Sequence, residues 1–441
     1  MPIIKRSVQE LLYMRSFFWI LTVATAVIGI FVGPDAGALA AFGSSALLFL
    51  VGRPVEGALS FLWFVRVEPA PSELLFAYAW LKGLFTHRLR RVSSVLFYVL
   101  GGFLLLNFVQ ILWSPVIERS VFFAGITAYL ALISVLMAAY IRDAHLWKEV
   151  QRWYLWAVYL TAIIGVILSA FYLTGISEHM IDLYFGERPR GFFKDPNVSG
   201  AFVVTGLTYA ISRLIFSQSR SLKLLIFTAF CIGGLLSSFS RGALLGAVAG
   251  FIFLILTGLV TRCLRWRRVF MLALVCTVIL RAMPFIWDLF NQAYRFTLLT
   301  EYEVSGRFMA WAAGLNVFSQ APWGIGPGQF EEAVAGYFAY YSAHNTFLRV
   351  LVENGVVGLV FFIATLLAVF WLAFKAVLLS RGLGDATLLA DSAWLVSSLV
   401  AIVIESTVID TLHWRHLWLL IGFSIAHYRL VRLRAKQCEL P

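Results

Sequence analysis

Charge is scarce in this chain: 13% of its 441 residues are Asp, Glu, Lys or Arg, where a soluble domain carries about 25%. So few charged groups cannot make a wettable surface over this length, which excludes an ordinary soluble enzyme. Cysteine is scarce too. Cys231, Cys263, Cys276 and Cys438 have no metal-ligand spacing and imply no disulfide framework. There is no phosphate-binding P-loop and no nucleotide-binding domain, so ATP or a nucleoside-diphosphate sugar has no evident seat. Early external loops offer single acids, Asp35 and Glu68, and Glu301 with Glu303 is a weak cation candidate. A mechanism without metal or cofactor is the simpler expectation. Internal repeats, low-complexity tracts and a soluble domain are also missing.

What is present is apolar. Hydrophobic residues make up 61% of the chain, and mean hydropathy is +0.86. The runs 92–113, 120–141, 153–173, 202–216 and 355–377 each approach bilayer length. In hydrocarbon such runs must be helical, because no water is there to satisfy the backbone. The expected class is an all-α polytopic membrane helix bundle. Spans are read near 17–33, 37–51, 53–66, 72–86, 92–113, 120–141, 153–174, 198–216, 223–238, 242–260, 269–285, 355–378, 388–408 and 412–428. That makes about 14, or 12 if the short second to fourth merge or are re-entrant. The whole of 1–441 reads as a single polytopic domain with extracytoplasmic loops 175–197 and 285–343.

The formal net charge of +12 sits in clusters between apolar runs, at 87–91, 262–268 and 429–436. This is the pattern of cytoplasmic loops under the positive-inside rule, with attraction to anionic membrane lipids as a consequence. No basic stripe is interleaved with exposed aromatics, which sets nucleic acid aside. Lys5, Arg6 and Arg15 before an apolar run, with Ala38-Leu39-Ala40 beyond it, resemble a signal peptide. The many later spans favour an uncleaved first helix instead.

Four segments could carry chemistry. In 188–197, Pro196 and Asn197 read as a helix start with Asn197 as N-cap. The positive end of that helix then lies beside Arg188, Arg190 and Lys194. Guanidinium forks and helix N-termini both suit phosphate; the same charges can also anchor a loop at the interface. Arg241, in Ser238-Phe239-Ser240-Arg241, is bounded by apolar runs. An ionisable group at membrane depth is a functional candidate, the alternative being a tight turn whose arginine snorkels. Gly242, Gly246 and Gly250 read as a helix-packing face.

The third segment is 343–355. His344 opens a helix and shares a stripe with Leu348 and Leu351, while Glu353 lies half a turn away and is better placed to pair with Arg349 at i,i+4. A lone histidine on an apolar stripe is commonly structural. Its position at the outer end of a span, and the near-neutral pKa of its residue type, suit proton transfer from a hydroxyl. The fourth is 321–330, where Gly324, Gly326 and Gly328 permit tight turns or close backbone approach. Upstream of it, Phe308, Trp311, Leu315 and Phe318 share one face of an expected helix with Ser305 as N-cap. That helix is expected at the membrane surface or packed on the bundle as a lid.

Together these segments resemble the O-antigen ligase and polymerase superfamily. The resemblance is carried by Arg-x-x-Gly-x-Phe-x-Asp-Pro-Asn at 188–197 and Ser240-Arg241-Gly242. It continues through Ser305-Gly306-Arg307 with Pro322-x-Gly-Ile-Gly-Pro-Gly328, and His344-Asn345 with Glu353-Asn354-Gly355. The motifs stand in the family's order over roughly 188–370. The resemblance implies about a dozen membrane helices and a large periplasmic loop before the His motif. It also implies metal-independent, inverting transfer of a glycan from undecaprenyl pyrophosphate to an acceptor hydroxyl, at the periplasmic side of a bacterial inner membrane. Arg188 and Arg241 would hold the pyrophosphate, with Arg190 and Arg307 as further ligands. His344 would be the general base, with Asn197 and Asn345 in support. A ligase passes the glycan to lipid A–core; a polymerase passes it to a second lipid-linked glycan. The Phe-Lys-Asp-Pro-Asn form is similar to that of exopolysaccharide polymerases. A competing expectation is a membrane transporter of a small anion or lipid-linked glycan, which should show broken helices near the midplane.

Overall fold

The computed structural model describes residues 2–66, 69–85, 95–175, 182–185, 188–217, 221–263, 270, 301–339 and 341–438. The basic cluster at 87–91, most of the cluster at 262–268, nearly all of the expected span 269–285 and the first part of the loop 285–343 lie outside them. So do Glu178, His179, Glu187 and Cys276. Of the described residues 81% are helical and almost none are in strands, the all-α outcome that a chain denied water along its backbone must reach. Among the described residues, eight helices are long and apolar enough to cross a membrane, by length and composition. Two shorter apolar helices, Ser16–Phe31 and Leu222–Ser237, join them. Outward apolar side chains such as Leu245, Val248, Ile252 and Leu256 are about half exposed, a surface suited to lipid rather than water. This is a multi-pass membrane protein.

The described residues form two compact units interleaved along the sequence. The first holds α1 (Pro2–Phe31), α2 (Pro34–Val51), α3 (Pro54–Ser60), α4 (Pro71–Phe85), α7 (Ala144–Leu173), the start of α8 (Pro196–Phe216) and α9 (Leu222–Ser237). Proline opens α2, α3, α4 and α8, where its fixed φ fits the helix and its missing N–H costs nothing. The expected span at 53–66 is not a full crossing. Helix α3 has seven residues, about 10 Å at helical rise, and all of them are buried. The turn after it carries Trp63 and Phe64 into an aromatic cluster with Phe192, at centroid distances of 5.2 and 5.1 Å. The Val65 amide donates to the Phe192 carbonyl at 2.9 Å, which fastens the loop around 192 to this unit.

The second unit holds α5 (Val95–Gln110), α6 (Ile117–Tyr140), the end of α8, α10 (Arg241–Val260), α11 (Glu301–Gln320), α12 (Phe330–Ala335), α13 (Thr346–Gly382), α14 (Ala386–Glu405) and α15 (Arg415–Cys438). The glycine face of α10 packs on α14: a Cβ at Gly246 would lie 2.8 Å from the Ala401 carbonyl, and one at Gly250 would lie 3.1 Å from that of Ser397. Helix α13 breaks at Gly355, with φ 68° and ψ −172° inside an otherwise helical run. A Cβ there would meet the Pro322 carbonyl at 2.5 Å, so both conformation and space demand glycine.

Helix α11 differs from expectation at its start. It already runs from Glu301, so Ser305 lies inside it and not at its N-cap. Its buried face is made of small residues, Gly306, Ala310, Ala313, Gly314 and Val317, which pack with Phe330, Val334, Leu348 and Val352. Trp311 and Phe318 are partly buried against this core, whereas Phe308 and Leu315 are exposed. Small side chains allow the closer approach of backbones, so they took the inner face.

Candidate functional site

In the first unit the segment 188–197 is built on a two-residue antiparallel ribbon, pairing Tyr184 with Pro189 and Phe185 with Arg188. Arg188 donates through Nη2 to Asn197 Oδ1 at 2.9 Å and to the Ser238 carbonyl at 2.8 Å, with Nε on the same carbonyl at 3.2 Å. The cap of α8 is Asp195 and not Asn197. The Asp195 carboxylate accepts the Asn197 amide at 2.6 Å, and its carbonyl accepts Val198 N at 3.2 Å. An aspartate at the position before proline satisfies the orphan amides of the first turn, which releases the Asn197 side chain to hold Arg188.

Arg190 donates to the Asp182 carbonyl from Nε at 3.3 Å and Nη2 at 3.2 Å, and to the Lys194 carbonyl at 3.4 Å. Arg66, which no motif singled out, reaches the same Asp182 carbonyl and pairs with its carboxylate at 3.2 Å. Burial, then the nearby Arg66 charge, pull the Arg190 pKa below the ordinary arginine value, with Asp182 and Asp195 acting in the opposite sense. The residue that sequence reasoning missed here sits at the end of 53–66, read as part of a span.

In the second unit Arg241 is the first residue of α10, directly after the turn 238–240 in which Phe239 takes φ 49°. The backbone there is a tight turn, and the Arg241 side chain is exposed. Arg307, on α11, is half-buried and donates to the Val408 carbonyl at 3.5 Å. His344 is half-buried, with its ring 5.4 Å from that of Tyr341. Its φ of 43° is a left-handed conformation uncommon outside glycine, and such residues persist where surrounding contacts over-determine them. Two contacts do so here. Trp311 Nε1 donates to the Ala343 carbonyl at 2.7 Å. Asn345 caps α13, its Oδ1 accepting from Leu348 N at 3.0 Å.

One turn into α13 lies the strongest electrostatic feature of the unit. Arg349, 3% exposed, pairs with Glu353 at 2.9 Å and with Asp410 at 2.6 Å, and also with Glu331. The i,i+4 pairing with Glu353 was legible from spacing. Glu331 and Asp410, brought by other elements, were not. Glu353 also accepts the backbone amides of Gly328 at 2.8 Å and Phe330 at 3.2 Å, so its carboxylate clamps the glycine-rich loop onto α13. Gly328 needs φ 74°, and a Cβ on it would run into the Phe123 ring at 2.2 Å. Arg119 closes the other side, pairing with Glu331 at 3.0 Å and donating to the Gly328 carbonyl. The loop 321–330 is thus a clamped structural element, which is the geometric reading of its glycines.

Of the expected site residues, Arg188, Arg190 and Asn197 belong to the first unit, where Arg188 and Asn197 are in direct contact. Arg241, Arg307, His344 and Asn345 belong to the second. Among the described residues no group of three His, Cys, Asp or Glu side chains is arranged to hold a metal ion.

No curated protein matches the chain. A family model described as O-antigen ligase matches residues 225–363. Arg241, Arg307, His344, Asn345, Arg349 and Glu353 fall inside the matched stretch, and the segment 188–197 falls before it. The match supports an O-antigen ligase- or polymerase-type function in general terms, with lipid-linked glycans as the substrate class in a membrane setting, and residues 225–363 are similar to the O-antigen ligase family.

Proposed function

We propose that the chain transfers a glycan from undecaprenyl pyrophosphate to the hydroxyl of an acceptor sugar, at the periplasmic face of a bacterial inner membrane. The acceptor is lipid A–core for a ligase, or a second lipid-linked glycan for a polymerase. His344 is the general base. It takes the proton from the acceptor hydroxyl while that oxygen forms its bond to the anomeric carbon of the donor sugar. The bond from that carbon to the pyrophosphate oxygen breaks, and undecaprenyl pyrophosphate leaves with the electron pair. Attack opposite the leaving group inverts the anomeric centre.

Arg241 and Arg307 are assigned to the pyrophosphate, with Arg188 and Arg190 as further anion ligands. Guanidinium groups suit that task because charge develops on the leaving oxygens, and charge-assisted hydrogen bonds strengthen as it does. General-base assistance contributes roughly 10²–10⁴-fold. Asn345 supports His344 by capping the helix that follows it, and Asn197 supports Arg188.

The observation that carries this reading is the family match, which spans Arg241, Arg307 and His344 together. It is supported by the strained, tightly framed backbone at His344. The test is release of undecaprenyl pyrophosphate from a lipid-linked glycan by purified protein. Release by wild type, lost in Arg241→Ala and His344→Ala with folding intact, is the expected result; full activity in both variants overturns the assignment. The break in α13 and the short buried α3 also favour a second reading, transport of a small anion or lipid-linked glycan. Flux through proteoliposomes that survives His344→Ala, with no pyrophosphate release, selects it.

A further inference from the structure

The segment 406–411 joins α14 to α15 and lies outside both the matched residues and the motifs. Yet it is hydrogen-bonded to Arg307 and to Thr346, the second residue after His344. The Thr346 amide, two residues after His344, donates to the Ser406 carbonyl at 2.9 Å. Thr346 Oγ1 donates to the Ile409 carbonyl at 3.2 Å and accepts the Thr411 amide at 2.8 Å. Arg307 donates to the Val408 carbonyl. Asp410 pairs with Nε of Arg349 at 2.6 Å, one helical turn beyond the His344 end of α13.

Charge balance alone does not account for Asp410. Arg349 is already met by Glu331 and Glu353, whose side chains are 10% and 2% exposed. Arg119 also meets Glu331, so the two guanidiniums are matched before Asp410 is counted, and a third carboxylate adds desolvation cost and mutual repulsion. What Asp410 adds is geometry. It engages the remaining edge of the guanidinium, and its Oδ1 accepts the Leu412 amide at 3.1 Å. The carboxylate thereby fixes 406–411 against the start of α13.

We infer that Asp410 is a positioning residue for glycan transfer, holding the segment 406–411 so that His344 and Arg307 keep one mutual arrangement. It acts through Arg349 and Thr346 and touches no substrate. The assignment rests on the glycan-transfer reading. Asp410→Asn is the informative variant, because it keeps the side-chain shape and leaves Arg349 with two carboxylates, so the fold should stand. Groups that hold a reacting residue in place contribute roughly 10–100-fold when removed. The measurement is steady-state release of undecaprenyl pyrophosphate by the full-length protein, normalised to folded protein by size-exclusion chromatography.

The expected result is a fall in kcat of about 10–100-fold in Asp410→Asn, with donor KM changed by no more than about twofold. Thr346→Val should fall in the same sense, and the double variant should lose less than the product of the two. Asp410→Glu, which restores the carboxylate, should recover part of the rate. An unchanged kcat in Asp410→Asn overturns the positioning assignment alone. So does a loss wholly explained by less folded protein. A wild-type protein that releases no undecaprenyl pyrophosphate overturns the transfer reading, and the positioning role with it.

Discussion

Arg188 and Arg190 in the first unit are spent differently from Arg349 in the second. In the first, Arg188 and Arg190 donate to neutral oxygens: the carbonyls of Ser238, Asp182 and Lys194 and the amide of Asn197. Those bonds orient a guanidinium and leave its charge in place. In the second, Arg349 is enclosed by three carboxylates and stacked against the Phe330 ring at 5.7 Å, so its charge is consumed internally. An arginine held by carbonyls is suited to meet an anion from outside, and an arginine held by carboxylates is suited to fasten elements together. The contrast separates arginines suited to an external anion from framework arginines without reference to any motif.

The largest expected effect breaks the framework side. Arg349→Met leaves Glu331 to Arg119 and strands the buried Glu353 carboxylate beside Asp410, a loss of about 3–5 kcal/mol. Thermal unfolding in detergent should show a large drop in Tm or no recoverable folded protein; near-wild-type Tm would refute the framework role. Arg188→Lys is the counterpart on the ligand side. It keeps the charge but loses the planar fork that bonds Ser238 and Asn197 together. Donor KM should rise by about 10-fold, while stability falls by only about 1 kcal/mol. A Tm loss as large as that of Arg349→Met, with donor KM unchanged, would erase the distinction between the two arginines.

How much of this was legible in the sequence depends on the range of each interaction. The helical class and the packing face of Gly242, Gly246 and Gly250 follow from local composition and spacing, as does the Arg349–Glu353 pair. Asn197 was misread because proline at the helix start let Asp195 take the cap, a competition between neighbours that only backbone geometry decides. The buried face of α11 was not legible from the apolar stripe alone: Ala310 and Gly314 can approach α12 and α13 closely, and Phe308 cannot. The segment 53–66 is apolar enough to span, and its burial as the short α3 depends on partners elsewhere in its unit. Glu331 and Asp410 had no local signal, since their meaning arises only where three elements meet at Arg349.

A third perturbation tests the clamp on the framework side. Gly355→Ala forces a Cβ against the Pro322 and Trp323 backbone at 2.5 Å in a conformation that costs an L-residue about 1–3 kcal/mol by itself. The variant should lose about 2 kcal/mol or more of stability, read as Tm. An unchanged Tm would mean that α13 does not need its break.

The smallest effect lies in the first unit, under the Arg188 ribbon. Tyr184 is 6% exposed, and its hydroxyl donates to the Leu168 carbonyl at 2.6 Å. Burial, with a smaller contribution from Tyr172, pushes its pKa above the ordinary tyrosine value. A group whose folded pKa is raised adds stability that is complete below the unfolded pKa, about 10 for tyrosine, and is lost as pH rises toward the folded value. Wild-type protein should therefore lose Tm above about pH 10 more steeply than Tyr184→Phe. At neutral pH the phenylalanine variant should be less stable by about 1 kcal/mol, the worth of one buried hydrogen bond. Parallel Tm curves for the two proteins through the alkaline range would show that Tyr184 is not held as its geometry requires, and that the ribbon carrying Arg188 is fastened by other contacts.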